Sequence, residues 1–209
     1  MQQKNIWGKV CDCGNEVFDY FDENFYVMPK DYEKIMICPK CKTTNKISTN
    51  DAENFYKSKI FECFEGVYGN VLELGCGDGI LTKYLATLQK VERITSVDLC
   101  NTLKLKSEKV KFKQLDLNQI EKFTPNISYD FVVCKDILMY LDDIEKLFFY
   151  LSKYSVNLLL LNWFNFEHKN CINKATPTKI VNIIKKYYKV VDLEYPHFYK
   201  WGYLIKAEK

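Results

Sequence analysis

The segment that most constrains this chain is Asn70-Val-Leu-Glu-Leu-Gly75-Cys-Gly77-Asp-Gly79, a short apolar run ending in three glycines at alternate positions. Ile80-Leu-Thr-Lys-Tyr-Leu-Ala-Thr-Leu88 follows and reads as a helix. Glycine is needed where a chain turns sharply and where a ligand must lie against bare backbone. In an open parallel sheet such a turn lies at the carboxyl edge, where ligands bind at the topological switch point. The remainder of the chain alternates as that architecture requires. Arg93–Asp98, Lys109–Leu115, Tyr129–Cys134 and Val156–Asn162 read as further strands, the last buried on both faces. Helical stretches fall near 142–153 and from Thr176-Pro177, where proline suits the first turn of a helix. Strand-like segments near 188–194 and 199–206 close the chain. The pattern predicts an α/β fold, mainly parallel, with helices on both faces.

The acids around the glycines narrow the ligand. Asp98 ends the second strand, about 20 residues on, where an acidic side chain can accept both hydroxyls of a ribose. A dinucleotide fingerprint wants a small residue where this chain has Ile80, and Glu73 and Asp78 would repel a pyrophosphate. A ligand with a cationic amine suits them better. The form Glu73-x-Gly75-x-Gly77-x-Gly79 resembles motif I of the class I S-adenosylmethionine (SAM) dependent methyltransferases, and the resemblance continues in order over residues 70–162. It implies a Rossmann-like sheet with SAM as cofactor. It also implies that Glu73, Gly75, Gly77 and Gly79 surround the methionine part of SAM and that Asp98 holds the ribose. Leu99 would flank the adenine, and Asp116, followed by Leu117, would meet the adenine amino group.

Transfer from SAM needs an oriented acceptor, and a base where the acceptor must lose a proton. The candidates are His168, in the loop after the fifth strand, and Tyr140 and Asp136, in the loop after the fourth. Tyr140 stands where related enzymes often carry histidine. The fourth strand is not followed by the Asn/Asp-Pro-Pro-aromatic motif of exocyclic-amine methyltransferases. Cys134 is expected to be a small buried hydrophobe, and Cys63, Cys76, Cys100 and Cys171 likewise.

Residues 1–50 have a different composition, with several aromatics and two cysteine pairs. Cys11-Asp-Cys13-Gly14 and Cys38-Pro-Lys-Cys41 lie 24 residues apart. Four thiolates converging from two tight turns suit tetrahedral structural zinc. Residues 1–50 are therefore expected to form a zinc-ribbon-like module, and residues 51–209 the methyltransferase domain. A helix over 51–66 is expected to be the join. Nine cysteines without a secretory leader pattern point to a reducing cytoplasm, and no apolar run is long enough for a membrane helix. The net charge of +3 and the single arginine, Arg93, give little support to nucleic acid as partner. The expected reaction is methylation of a small-molecule acceptor, a sugar or other metabolite, on O or N. The alternative is an RNA methyltransferase whose zinc module grips nucleic acid, favoured by the lysine-rich residues 167–209. Oligomeric state cannot be read from these features.

Overall fold

A computed structural model describes residues 6–20, 33–163, 171–199 and 202–209. It divides into two compact units, Met1–Cys63 with Pro196–Trp201, and Phe64–Tyr195 with Gly202–Lys209. The helix expected as the join groups with the first unit.

In that first unit, β1 (Ile6–Val10) pairs antiparallel with β2 (Glu16–Tyr20), and β3 (Glu33–Ile37) with β4 (Thr44–Ser48). Helix α1 (Thr49–Glu62) starts at a capping box. The Ser48 hydroxyl accepts from the Asp51 amide, and the Asp51 carboxylate accepts from the Ser48 amide, so two otherwise unpaired donors are satisfied. The helix lies close on β1, because a Cβ on Gly8 would come within 2.5 Å of the Phe55 ring. Lys59 is buried in this packing, and its charge is matched by Glu16 and Glu62.

The second unit is built on one seven-stranded sheet. Its strands are β5 (Gly69–Leu74), β6 (Val91–Asp98), β7 (Val110–Gln114), β8 (Tyr129–Lys135), β9 (Ser155–Trp163), β10 (Val190–Glu194) and β11 (Gly202–Glu208). Their spatial order is β10-β11-β9-β8-β5-β6-β7. The five from β9 to β7 run parallel, and β11 runs antiparallel to its neighbours β9 and β10. From β5 the chain first steps outward through β6 and β7, then returns to β8 on the other side. The topological switch thus lies between the carboxyl ends of β5 and β8, at the glycine turn. Helix α2 (Ile80–Thr87) packs on β6, whereas α3 (Ile144–Leu151) packs on α4 (Pro177–Ile184), which covers β10 and β11. Asp143 and Thr176 cap α3 and α4, with Pro177 in the first turn. The core is continuous from Leu72 and Leu74 through Val132, Leu158 and Leu160 to Ile205. Cys76, Cys134 and Cys171 are buried as expected, but Cys63 is only half-buried. Cys100 is exposed, a correction that follows from its place in the turn after β6. Among the described residues no helix is long and apolar enough to cross a membrane.

Candidate functional site

The glycine turn departs from β5 under the carboxyl end of β6. The Gly75 and Cys76 amides donate to the Val97 carbonyl at 2.8 and 3.2 Å, which folds the chain back over the sheet edge. Gly75, Gly77 and Gly79 all adopt left-handed φ, from 53° to 84°. Gly79 is the N-cap of α2 and has no room for a side chain, since a Cβ there would lie 2.2 Å from Leu103 Cδ1. At Gly77 a Cβ would meet nothing within 4 Å, so this backbone borders open space.

Asp98 closes the turn from the neighbouring strand. Its Oδ2 accepts from the Gly77 amide at 2.8 Å and its Oδ1 from the Cys100 amide at 3.0 Å. Each carboxylate oxygen can accept about two hydrogen bonds, so each has one direction left. Leu99 beside it is 59% exposed, and its carbonyl accepts from the Gln114 side chain at the end of β7. Asp116 caps the following 3-10 turn, Leu117–Lys122, by accepting from the Asn118 amide at 2.9 Å. The Leu117 side chain points into the core, 6% exposed.

Glu73 lies beneath the turn. It is 1% exposed, and its Oε2 accepts from the Thr82 and Ser96 hydroxyls at 2.6 and 2.8 Å. Its Oε1 is buried and has no hydrogen-bond partner among the described residues. Burial pushes the carboxyl up to about 7, the two hydroxyls oppose this, and the nearby Asp98 charge adds to it. Thr82 and Ser96 were not singled out from sequence, although a polar residue on an otherwise apolar helix or strand face is the available signal.

Across the switch, the loop after β8 carries Asp136 and Tyr140. Asp136 has a left-handed φ of 56°, is paired with Lys135, and accepts from the Trp163 amide at 3.1 Å. Tyr140 is 36% exposed, and partial burial with the charges of Asp136 and Cys171 raises its phenol above the ordinary value. It therefore stays protonated at neutral pH and can donate. A small recess of about 10 Å³, room for about one water molecule, lies beside this loop between Leu138, Met139, Trp163, Cys171, Asn173 and Tyr203. His168 lies outside the described residues. Cys134 is fully buried, and burial pushes its thiol up to about 12, which makes it a core side chain and no nucleophile.

In the first unit Cys11, Cys13, Cys38 and Cys41 converge, with all four sulfurs within 4.8 Å of one another. Both pairs lie on hairpin turns, closed by Cys11 N–H to Asn15 O and Cys38 N–H to Thr43 O, each 2.9 Å. The Cys11–Cys41 and Cys13–Cys38 sulfurs are 3.6 and 3.7 Å apart. Tetrahedral zinc with bonds of about 2.3 Å would set such separations near ~3.8 Å.

Residues 72–152 match the family model described as a methyltransferase domain. The similarity to a methyltransferase domain covers this part of the chain. It begins on β5 and ends at α3, so it takes in the glycine turn, Asp98 and the loop after β8. No curated protein sequence matches the chain. Solved structures share the methyltransferase fold at low identity. One is a SAM-dependent methyltransferase from Mesorhizobium loti, at TM-score 0.57 and 12% identity, covering 74% of this chain and 98% of that one. Another is the N-methyltransferase NodS from Bradyrhizobium japonicum WM9 in complex with S-adenosyl-L-homocysteine (SAH), at TM-score 0.54 and 14% identity, covering 76% and 87%. A third is the N-terminal domain of EvdMO1 in the presence of SAH and D-fucose, at TM-score 0.52 and 14% identity, covering 72% and 79%.

Proposed function

We propose that this methyltransferase transfers the methyl group of SAM to an oxygen or nitrogen of a small-molecule acceptor, a sugar or comparable metabolite. The observation that carries the cofactor half is Asp98. One backbone amide fixes each of its oxygens and leaves each one further acceptor direction, which suits the two adjacent hydroxyls of a ribose. The open backbone at Gly77 and the exposed Leu99 give the nucleoside a surface beside that carboxylate. Asp116 stands ready for the adenine amino group, with Leu117 holding the base of that turn in the core. Gly75 and Gly79 shape the turn, and the Glu73 carboxyl enclosed beneath it would act on a cationic amine through its charge. When bound, SAM supplies an already activated methyl on its sulfonium, so the chain's own task is to orient the acceptor and manage its proton.

That task falls to the loop after β8 and the segment after β9. Tyr140 can donate to an acceptor oxygen, Asp136 can take up a proton, and His168 is the third candidate base. NodS is named as an N-methyltransferase, and the EvdMO1 domain structure was determined in the presence of D-fucose, a small-molecule sugar, which supports the small-molecule reading. The four cysteines we assign to structural zinc, because a closed set of four thiolates has no open coordination position for a substrate. On this reading the N-terminal module, residues 1–50, precedes a methyltransferase domain over 51–209. The test is incubation with radiolabelled SAM and fractionated small-molecule and RNA pools. Label entering the small-molecule pool supports the proposal, and label entering only RNA overturns it.

A further inference from the structure

Asn162 belongs to neither the glycine turn nor the candidate acceptor loop, yet it is fully buried where the two meet. Its Oδ1 accepts from the Ile137 amide at 3.0 Å and the Leu138 amide at 3.2 Å, and its Nδ2 faces Cys134 Sγ at 3.8 Å. The contact is reciprocal. Asp136, at the other end of the same turn, donates its amide to the Leu161 carbonyl at 3.0 Å and accepts from the Trp163 amide. The ends of β8 and β9 are thus tied by four hydrogen bonds within a few residues, two of them centred on one side-chain oxygen.

This clamp has work to do. An L-residue in the left-handed region costs about 1–2 kcal/mol, less for Asp, and Asp136 is held there. The amides of Ile137 and Leu138 turn inward as a result and need an acceptor that the strand ladder cannot supply. The side-chain oxygen of Asn162 supplies it. The turn it fixes then points in two directions. Ile137 presses against the glycine turn, where a Cβ on Gly75 would lie 2.9 Å from Ile137 Cδ1. Tyr140 follows in the short helical turn Leu138–Tyr140, whose Met139 carbonyl accepts from the Ile172 and Asn173 amides.

We infer that Asn162 is a positioning residue that holds the cofactor turn, through Ile137 on Gly75, and the acceptor loop, through Asp136–Tyr140, in one register. The inference rests on the cofactor site proposed above. A purely structural core filler would instead tolerate an isosteric apolar side chain without effect on the glycine turn.

The test uses the full chain and SAH as probe, measured by titration calorimetry, with hydrogen exchange on the peptide containing residues 136–140. Asn162→Leu should weaken SAH binding by at least about tenfold, equivalent to ~1.4 kcal/mol or one net hydrogen bond. It should speed exchange in that peptide while β10 and β11 stay protected. Asn162→Asp keeps the accepting oxygen and should restore SAH affinity to within about threefold of the native chain. Ile137→Ala leaves the clamp intact but removes the contact on Gly75, and it should weaken SAH binding without speeding exchange at Leu138. If Asn162→Leu does not fold, the Ile137→Ala and Asn162→Asp arms still decide. SAH affinity unchanged in Asn162→Leu or in Ile137→Ala would overturn the inference. Failure of the native chain to bind SAH would instead defeat the cofactor reading itself.

Discussion

Replacing Glu73 by Gln should make the protein more stable at neutral and alkaline pH, and the gain can be worked out from the site. Glu73 is almost completely enclosed, and both neighbouring hydroxyls donate to one oxygen while the other has no partner among the described residues. Burial therefore dominates and raises the carboxyl from 4.5 to about 7. Below pH 4.5 the group is protonated whether or not the chain is folded. Between 4.5 and about 7 the unfolded chain has released the proton while the folded chain keeps it. The folded state then binds more protons, so stability falls as pH rises through this window and levels off above it. At about 1.4 kcal/mol per pH unit the loss comes to roughly 3 kcal/mol. Gln has the same shape and no titration, and its amide oxygen can take both hydroxyls. The assay is thermal melting of the native chain and Glu73→Gln from pH 5 to 9, following the transition of the sheet unit. The difference between the two proteins isolates Glu73 from every other titrating group. It should grow by roughly 5–10 °C between pH 5 and 8, since part of the loss precedes pH 5, taking about 2–4 °C per kcal/mol for a chain of this size. Parallel melting curves across that range would refute the argument, for they would mean that Glu73 is already ionised in the folded protein.

Three further outcomes follow from the same geometry. Asp98→Ala should lower SAM affinity at least about 100-fold, since two hydrogen bonds to a charged acceptor would be lost, and a change under threefold in calorimetry would remove the ribose role. Gly79→Ala should lower the melting temperature, because it combines a φ of 84° with a 2.2 Å contact on Leu103 and costs about 1–3 kcal/mol; pairing it with Leu103→Ala should relieve only the contact. The purified chain should contain one zinc per molecule by elemental analysis, and Cys38→Ser should abolish it and loosen the hairpins β1–β2 and β3–β4, read as faster hydrogen exchange in both. Metal retained at full stoichiometry in that variant would show that the fourth sulfur is dispensable.

Most of the fold is legible in the amino-acid order because its signals are local. The five parallel strands, the Pro177 helix start and the Ser48 cap each depend on neighbours within a turn or a strand's length. The two cysteine pairs are legible for the same reason, since each pair spans one hairpin turn. What the order does not disclose is which polar side chains lie inside. Ser96 reaches Glu73 across 23 positions, and Asn162 reaches Ile137 across 25. Neither has a spacing rule, because neighbouring strands of a parallel sheet are separated by a whole crossover. Leu117 shows the converse. Its place beside Asp116 puts it among the expected cofactor contacts, and its side chain packs in the core at the start of the 3-10 turn, which neighbouring residues alone do not disclose.

This difference between local and distant signals bears on how the site would recognise its cofactor. Among the acids of the turn, Asp98 and Asp116 are held by backbone amides and Glu73 by hydroxyls, before any ligand arrives. Acids fixed in this way lose little conformational freedom on binding, so more of each contact would appear as affinity. The cost is borne by Glu73, whose enclosed carboxyl keeps its proton near neutrality and leaves an oxygen unpaired. A cationic amine bound over the turn would favour the ionised form of the carboxyl beneath it and release the proton. Binding of SAM should therefore tighten as pH rises from 6 to 8 in the native chain. In Glu73→Gln it should be weaker at pH 8 and nearly independent of pH. An equal pH dependence in both proteins would place the ammonium group elsewhere, and calorimetry in two buffers of different ionisation enthalpy would show it directly as the absence of a released proton.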